Sequence, residues 1–203
     1  MIKQKPLNDL KENIDAQVYP IINKWIKRFD VTVKIKKNRV TKLGDYSYPN
    51  ENHGHVITIN EGLNHYSFLV TLVHEFAHLL TWVKHRNKVS PHGTEWKQEF
   101  KEMMQPIMEL NYFPKSITSA LNKYLKNAKA SSFSDLKLSK ELRKFDLSRG
   151  TIVEDIPLNA SFKINSGRIF IKGEKIRTRY KCIETSTKKT YLFNPIAEIT
   201  PIQ

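Results

Sequence analysis

The chain has 203 residues, 39% of them hydrophobic, with 34 Lys and Arg against 20 Asp and Glu and a formal net charge of +14. That length and apolar content support a real core, in one domain or in one domain with a small appendage. A single cysteine, Cys182, excludes an intramolecular disulfide; Met1 to Gln17 lacks the apolar run of a secretory signal, and no uninterrupted stretch has membrane-spanning length, so a cytoplasmic protein without a membrane partner is expected.

Leu7 to Phe29 carries Leu10, Ile14, Val18, Ile21, Ile22, Trp25, Ile26 and Phe29 at helical spacing and predicts one amphipathic helix, kinked at Pro20. Val31 to Ile35 alternates as a strand, with Asn38 to Leu43 as its expected return partner. Gly44 to Gly54, rich in Gly, Pro, Asn and aromatic residues, predicts a mobile loop. A second strand, His55 to Asn60, leads into a strongly apolar helix over Ser67 to Val83. Thr94 is placed to cap a helix to about Leu110 with Trp96, Phe100, Met103, Met104 and Ile107 buried, and Pro114 separates a short helix through Leu125. Asn127 to Gly150, rich in Lys, Ser and Ala, predicts a basic linker with a short helix from Ser134 to Phe145. Thr151 to Ile202 reads as several strands.

The chemistry lies in the apolar helix, which reads His74-Glu75-Phe76-Ala77-His78. Positions i and i+4 of a helix share a face, so two imidazoles can converge on one ion, while Glu75 is rotated off that pair and suits a general base better than a ligand. Three polar side chains inside an apolar stripe are costly unless they have partners, and a metal ion is such a partner. His85 lies seven residues past His78, about 10 Å further along the axis, and one ion cannot hold both. A metzincin would need Gly at 81 and His at 84, where this chain has Thr81 and Lys84. His92 is the first choice for a third ligand, with Glu99 as the runner-up.

The stretch Leu72 to Leu80 followed by Pro91-His92-Gly93-Thr94-Glu95-Trp96-Lys97 resembles the SprT-like metallopeptidases, bacterial SprT and the related DNA-protein crosslink protease Spartan. The resemblance implies ligands His74, His78 and His92 to one Zn2+ per chain, Glu75 as catalytic residue, and an α+β, zincin-like domain of helices packed on a small sheet. It also implies zinc-dependent peptide hydrolysis of a protein substrate, with the strand His55 to Asn60 offering its edge to the extended substrate. Tyr46, Tyr48, Tyr66 and Arg86 are the candidates for stabilising the oxyanion.

SprT-type proteins often end in a zinc ribbon, and Asn165 to Cys182 looks like the hairpin before its second cysteine knuckle. One cysteine cannot supply four thiolates, so a small β-rich, ribbon-like region lacking its zinc cysteines is expected, held by Ile169, Ile171, Tyr180, Ile183, Tyr191 and Phe193. The expected domains are 1–126 (catalytic), 127–150 (linker) and 151–203 (ribbon-like).

Charge is unevenly spread: residues 1–50, 51–112, 113–149 and 150–203 carry +6, −2, +6 and +4. A slightly acidic catalytic segment with basic flanks suits a protein that grips a polyanion with its periphery, and DNA bound without sequence preference is the expected partner, with Lys172, Lys175, Arg177 and Arg179 as candidate contacts; association with the nucleoid is compatible with the expected cytoplasmic location. Two other readings remain open: a nucleic-acid-binding protein whose zinc is structural, and a cytoplasmic zinc protease that works without DNA.

Overall fold

The computed structural model describes residues 7–39, 42–126 and 135–202, and the side chains from Leu10 onward. Two compact units form, Met1–Asp146 and Leu147–Gln203, and the fold is α+β.

The first unit begins with two helices, α1 (Leu7–Asn13) and α2 (Tyr19–Phe29), in place of one kinked helix. The break has a local cause: Pro20 stands in the first turn of α2, where a missing N–H costs nothing. Ile14, Val18 and Ile22 stay buried across the break. Asp30, in left-handed backbone with φ 46°, ends α2 and turns the chain into β1 (Val31–Lys36).

β2 (Gly44–Ser47) and β3 (His55–Asn60) complete a three-stranded sheet of order β1-β3-β2, in which β3 runs parallel to β1 and antiparallel to β2. Two expectations are corrected here. The partner of β1 is β3, and the segment 38–43 forms no strand where it is described, Val40 and Thr41 lying outside the described residues. Part of the expected loop is the edge strand β2. Neither strand pairing leaves a local trace, because Gly44-Asp45-Tyr46-Ser47 does not alternate and a parallel partner is distant in sequence. Arg39 ties the connection down, donating from Nε to Asn60 Oδ1 at 2.8 Å and from Nη1 to Thr58 Oγ1 at 3.0 Å.

The long helix α3 (His65–His85) is capped by Asn64, whose side chain accepts from the Ser67 N–H at 2.9 Å. Every residue from Ser67 to Ala77 is buried, so over those three turns α3 is enclosed on all sides rather than along one stripe. α4 (Thr94–Glu109) buries Trp96, Glu99, Phe100, Met103, Met104 and Ile107, and its cap position is Gly93, not Thr94. α5 (Lys115–Lys126) and α6 (Leu136–Arg143) follow.

The expected linker over 127–150 is only partly described, residues 127–134 lying outside the described set. What is described belongs to the first unit. Leu138 and Leu142 are fully buried, Asp135 caps α6, and Asn64 Nδ2 donates to Leu142 O at 3.0 Å, so the unit extends to Asp146. Two buried leucines among lysines and serines are a weak pattern, which is why the sequence reads as a spacer.

The second unit is a six-stranded antiparallel sheet, β4 (Thr151–Ile152), β5 (Ser161–Lys163), β6 (Ile169–Ile176), β7 (Arg179–Glu184), β8 (Thr190–Phe193) and β9 (Glu198–Pro201), in the order β4-β9-β5-β6-β7-β8. Its core is Val153, Ile156, Phe162, Phe170, Cys182 and Ile199, with Tyr180, Tyr191 and Phe193 against it. Ile169, Ile171 and Ile183, expected inside, are 37%, 37% and 42% exposed. Side chains alternate across a strand, so choosing the wrong phase puts a whole set on the wrong face; Phe170 and Cys182 occupy the inward phase. Cys182, which the resemblance places at a lost knuckle, is a core residue.

Candidate metal centre

α3 presents His74 and His78 one turn apart on one face, and the turn between α3 and α4 returns His92 to them. His92 has φ 59°, left-handed backbone that a non-glycine residue holds only where its surroundings impose it. Gly93 follows for a steric reason, since a Cβ there would lie 2.9 Å from Ser90 O.

The three Nε2 atoms face one another: His74 to His78 is 3.2 Å, His78 to His92 2.9 Å and His92 to His74 3.2 Å. Ligand nitrogens bound at about 2.0–2.1 Å to a tetrahedral ion lie about 3.3 Å apart, so the triangle fits such an ion with a fourth position open. Burial, reinforced by the neighbouring imidazoles, lowers the His74 pKa to about 2 and that of His78 to about 3, and burial lowers His92 as well. All three are therefore neutral, the form that binds metal. Among the described residues this is the one group of His, Cys, Asp or Glu able to hold an ion.

Packing orients the rings. Trp96, fully buried on α4, lies under all three, with centroid distances of 4.6 Å to His74, 5.3 Å to His78 and 4.7 Å to His92, and stacks on Phe100 at 5.2 Å. His74 Nδ1 is buried with no hydrogen-bond partner among the described residues, so ring contacts fix its orientation. The sequence shows Trp96 as a core residue and gives no sign that it floors the site.

Glu75 is buried beside the triad and outside it. Burial, with Asp45 adding, pushes its carboxyl up to about 8, while Arg39, Lys42 and a backbone hydrogen bond from Tyr46 pull the other way. The edge strand β2 crosses directly over it: a Cβ at Gly44 would lie 2.6 Å from Glu75 Oε1 and 2.8 Å from Thr71 Cγ2. Sequence reasoning missed Gly44 because the residue it clears is distant in sequence. The strand expected to offer its edge to an extended substrate has none to offer. β3 is paired on both sides and has no free edge, whereas β2 has one.

Glu99, the alternative third ligand, is buried and taken by Lys84 Nζ at 2.7 and 2.9 Å. His85 stands outside the triad. Of the oxyanion candidates, Tyr46 pairs its hydroxyl with His55 Nδ1 at 2.8 Å, and burial raises its pKa. Tyr48 stacks with Trp82 at 6.0 Å, and the Arg86 guanidinium sits 3.9 Å over the same indole. Tyr66 packs with Tyr112, Phe113 and Phe145 at the far end of α3.

The candidate nucleic-acid contacts fare unequally. Lys172 is only 5% exposed and gives its Nζ to Ile156 O and, at 3.3 Å, to Glu154 O, so it serves the second unit's interior. The inward phase of β6 that buries Phe170 buries Lys172 too. Lys175 is exposed with Glu154 at 3.3 Å, and Arg177 and Arg179 are exposed at the β6–β7 turn.

A mixed helix-and-sheet domain that gathers three neutral imidazoles on its enclosed helix, with a buried carboxyl alongside, has the build of a metallopeptidase-type domain. The chain belongs to the SprT-like family, whose model matches residues 10–143, from α1 to the end of α6. SprT-like domains are of metallopeptidase type and associated with zinc. Comparison with curated proteins finds no match. No helix among the described residues is long and apolar enough to cross a membrane.

Proposed function

We propose that the protein is a zinc metalloendopeptidase of SprT type that acts on proteins bound or crosslinked to DNA. The observation that carries the hydrolase reading is the convergence of the three Nε2 atoms within 2.9–3.2 Å of one another with the Glu75 carboxyl buried alongside. His74, His78 and His92 would hold the zinc, which when bound supplies a Lewis acid and acidifies a water toward a pKa of about 7. Burial alone favours the protonated carboxyl, and the charge of a bound cation would favour the ionised one; in that form Glu75 would accept a proton from the attacking water and pass it to the leaving amine. The Tyr46 N–H steadies the Glu75 carboxylate, and Gly44 leaves room for it under β2. An extended substrate would add as a strand to the free edge of β2.

DNA as partner is supported by the basic flanks of the catalytic segment, +6 on either side of −2. A purely structural zinc is disfavoured by Glu75, because such a site gives no reason to bury a carboxyl beside three histidines. Cleavage of a DNA-binding protein, assayed with and without single- and double-stranded DNA, tests the reading. Wild type should cleave and Glu75→Gln should not, while both hold zinc. Cleavage equally fast with and without DNA would leave a zinc protease that does not use DNA.

A further inference from the structure

We infer that the outer face of α5, together with Lys137 of α6, is a binding site for the phosphodiester backbone of nucleic acid. Lys115, Ser119, Asn122, Lys123 and Lys126 recur at i, i+4, i+7, i+8 and i+11, so they form one stripe along the helix, all of them exposed. The opposite face carries Ile117, Ala120, Leu121 and Tyr124 into the core. All five stripe residues line a cleft of about 720 Å³, and among the described residues no carboxylate lines it.

α6 brings Lys137 beside Lys123, and Lys126 adds a third positive charge nearby. The neighbouring ammonium groups lower the pKa of Lys123, a mutual repulsion that a bound anion relieves. Glu141, an acid of α6 that feels the charge of Lys137, is held by Lys144 at 2.8 Å. A lysine stripe of this kind recognises a chain of phosphates rather than one. From Lys115 to Lys126 it runs about 17 Å at 1.5 Å per residue, the axial length of about five phosphates on one strand of a duplex. Hydroxyl and amide groups of Ser119 and Asn122 between the lysines are the usual donors to phosphate oxygens and carry no base information.

The stripe points away from the metal centre. Tyr124, on the buried face of α5, packs against Phe100 at 5.9 Å, and Phe100 stacks on the Trp96 that floors the histidines. A bound backbone therefore leaves the cleavage site free. This inference rests on the proposed nucleic-acid partner and relocates its contacts from the β6–β7 hairpin to α5.

The test uses the full chain and fluorescence anisotropy of a labelled 20-nucleotide single strand and of its duplex, titrated over a range of salt. For Lys115→Gln/Lys123→Gln/Lys126→Gln, affinity at low salt should fall at least about tenfold, and the slope of log K against log salt should flatten by about 2, since each neutralised phosphate contributes about 0.7 to 0.9. Inorganic polyphosphate should compete with the oligonucleotide better than polyglutamate at equal charge. An unchanged affinity and slope in the triple variant overturns the site, as does a wild type that binds polyphosphate but neither oligonucleotide. Cleavage of an unstructured peptide, retained in the triple variant and lost in Glu75→Gln, reports on the hydrolase reading separately.

Discussion

Both units bury polar side chains, and they do so to opposite ends. In the second unit Lys172 and Glu184 are inside, yet each is answered from within: Lys172 by the carbonyls of Glu154 and Ile156, Glu184 by Arg168 Nε at 2.6 Å and by Thr187 Oγ1. In the first unit His74, His78 and His92 point their Nε2 atoms at one another, and Glu75 is held where burial disfavours its charge. Buried polar groups that satisfy each other hold a fold together, whereas buried groups whose polar atoms converge without mutual satisfaction mark a place where something else must bind or react. By that contrast the polar interior of the second unit holds its fold together, and the histidine cluster of the first is arranged to take a ligand.

The sharpest way to break it is to remove one corner of the triangle. His92→Ala should take bound zinc from about one equivalent per chain to a small fraction of that, while His85→Ala, outside the triad, should leave it near one. Metal analysis of the folded proteins decides this, with circular dichroism to establish folding. Stoichiometric zinc in His92→Ala would show that the three nitrogens are not a ligand set. Two tightly bound equivalents in wild type would mean that a second centre exists.

The histidine face of α3 is legible in the sequence because a helix repeats every 3.6 residues, so spacing alone puts His74 and His78 together and rotates Glu75 aside. That His92 joins those two rings is legible through the segment around Trp96. What was not readable is what crosses from elsewhere: β2 over Glu75, Trp96 beneath three rings, Lys84 closing off Glu99. Each joins residues distant in sequence and follows no local period. The second unit failed differently. Its strands were visible, but a period of two has two phases, and the sequence offered isoleucines on one phase and Phe170, Lys172 and Cys182 on the other. Lys172, one of four basic residues that the charge pattern points toward DNA, lies on the inward phase.

A smaller effect probes the clearance under β2. Gly44→Ala places a methyl 2.6 Å from Glu75 Oε1, so the carboxyl or the strand must shift, and kcat for peptide cleavage should fall by about tenfold or more with zinc retained, since a misplacement of about 1 Å can cost a factor of about a hundred. Gly54→Ala is the control, because a Cβ there meets nothing within 4 Å. Equal rates for the two variants would show that Glu75 is not constrained by β2.

Within the second unit, Lys172→Met should lower stability by about 1–3 kcal/mol, because it strips the donor from one buried and one part-buried carbonyl. Arg177→Gln, at an exposed turn, should change stability by no more than about 0.5 kcal/mol. Thermal unfolding of the full chain measures both. Nucleic-acid affinity measured below the melting range should be the same for Lys172→Met as for wild type, and a loss of affinity without a loss of stability would return Lys172 to the surface role that its burial denies.

The smallest effect is in acid, and it tests whether the second unit's ion pair is as satisfied as its geometry suggests. Hydrogen bonds from Arg168 and Thr187 hold the Glu184 carboxyl at about 2, below its ordinary value. A carboxyl whose folded pKa is depressed stabilises the fold above its unfolded pKa of about 4.3 and loses that contribution as pH falls toward the folded value. Stability should therefore be flat in this respect from neutral pH to about 5 and decline between about 4 and 2. Arg168→Gln removes the dominant partner, so the variant should be less stable than wild type at neutral pH, and the two acid-unfolding curves should approach each other as Glu184 protonates. Curves that stay parallel down to pH 2 would mean that Arg168 contributes through its packing over Phe170 and Tyr191, at 5.1 and 4.6 Å, and not through Glu184.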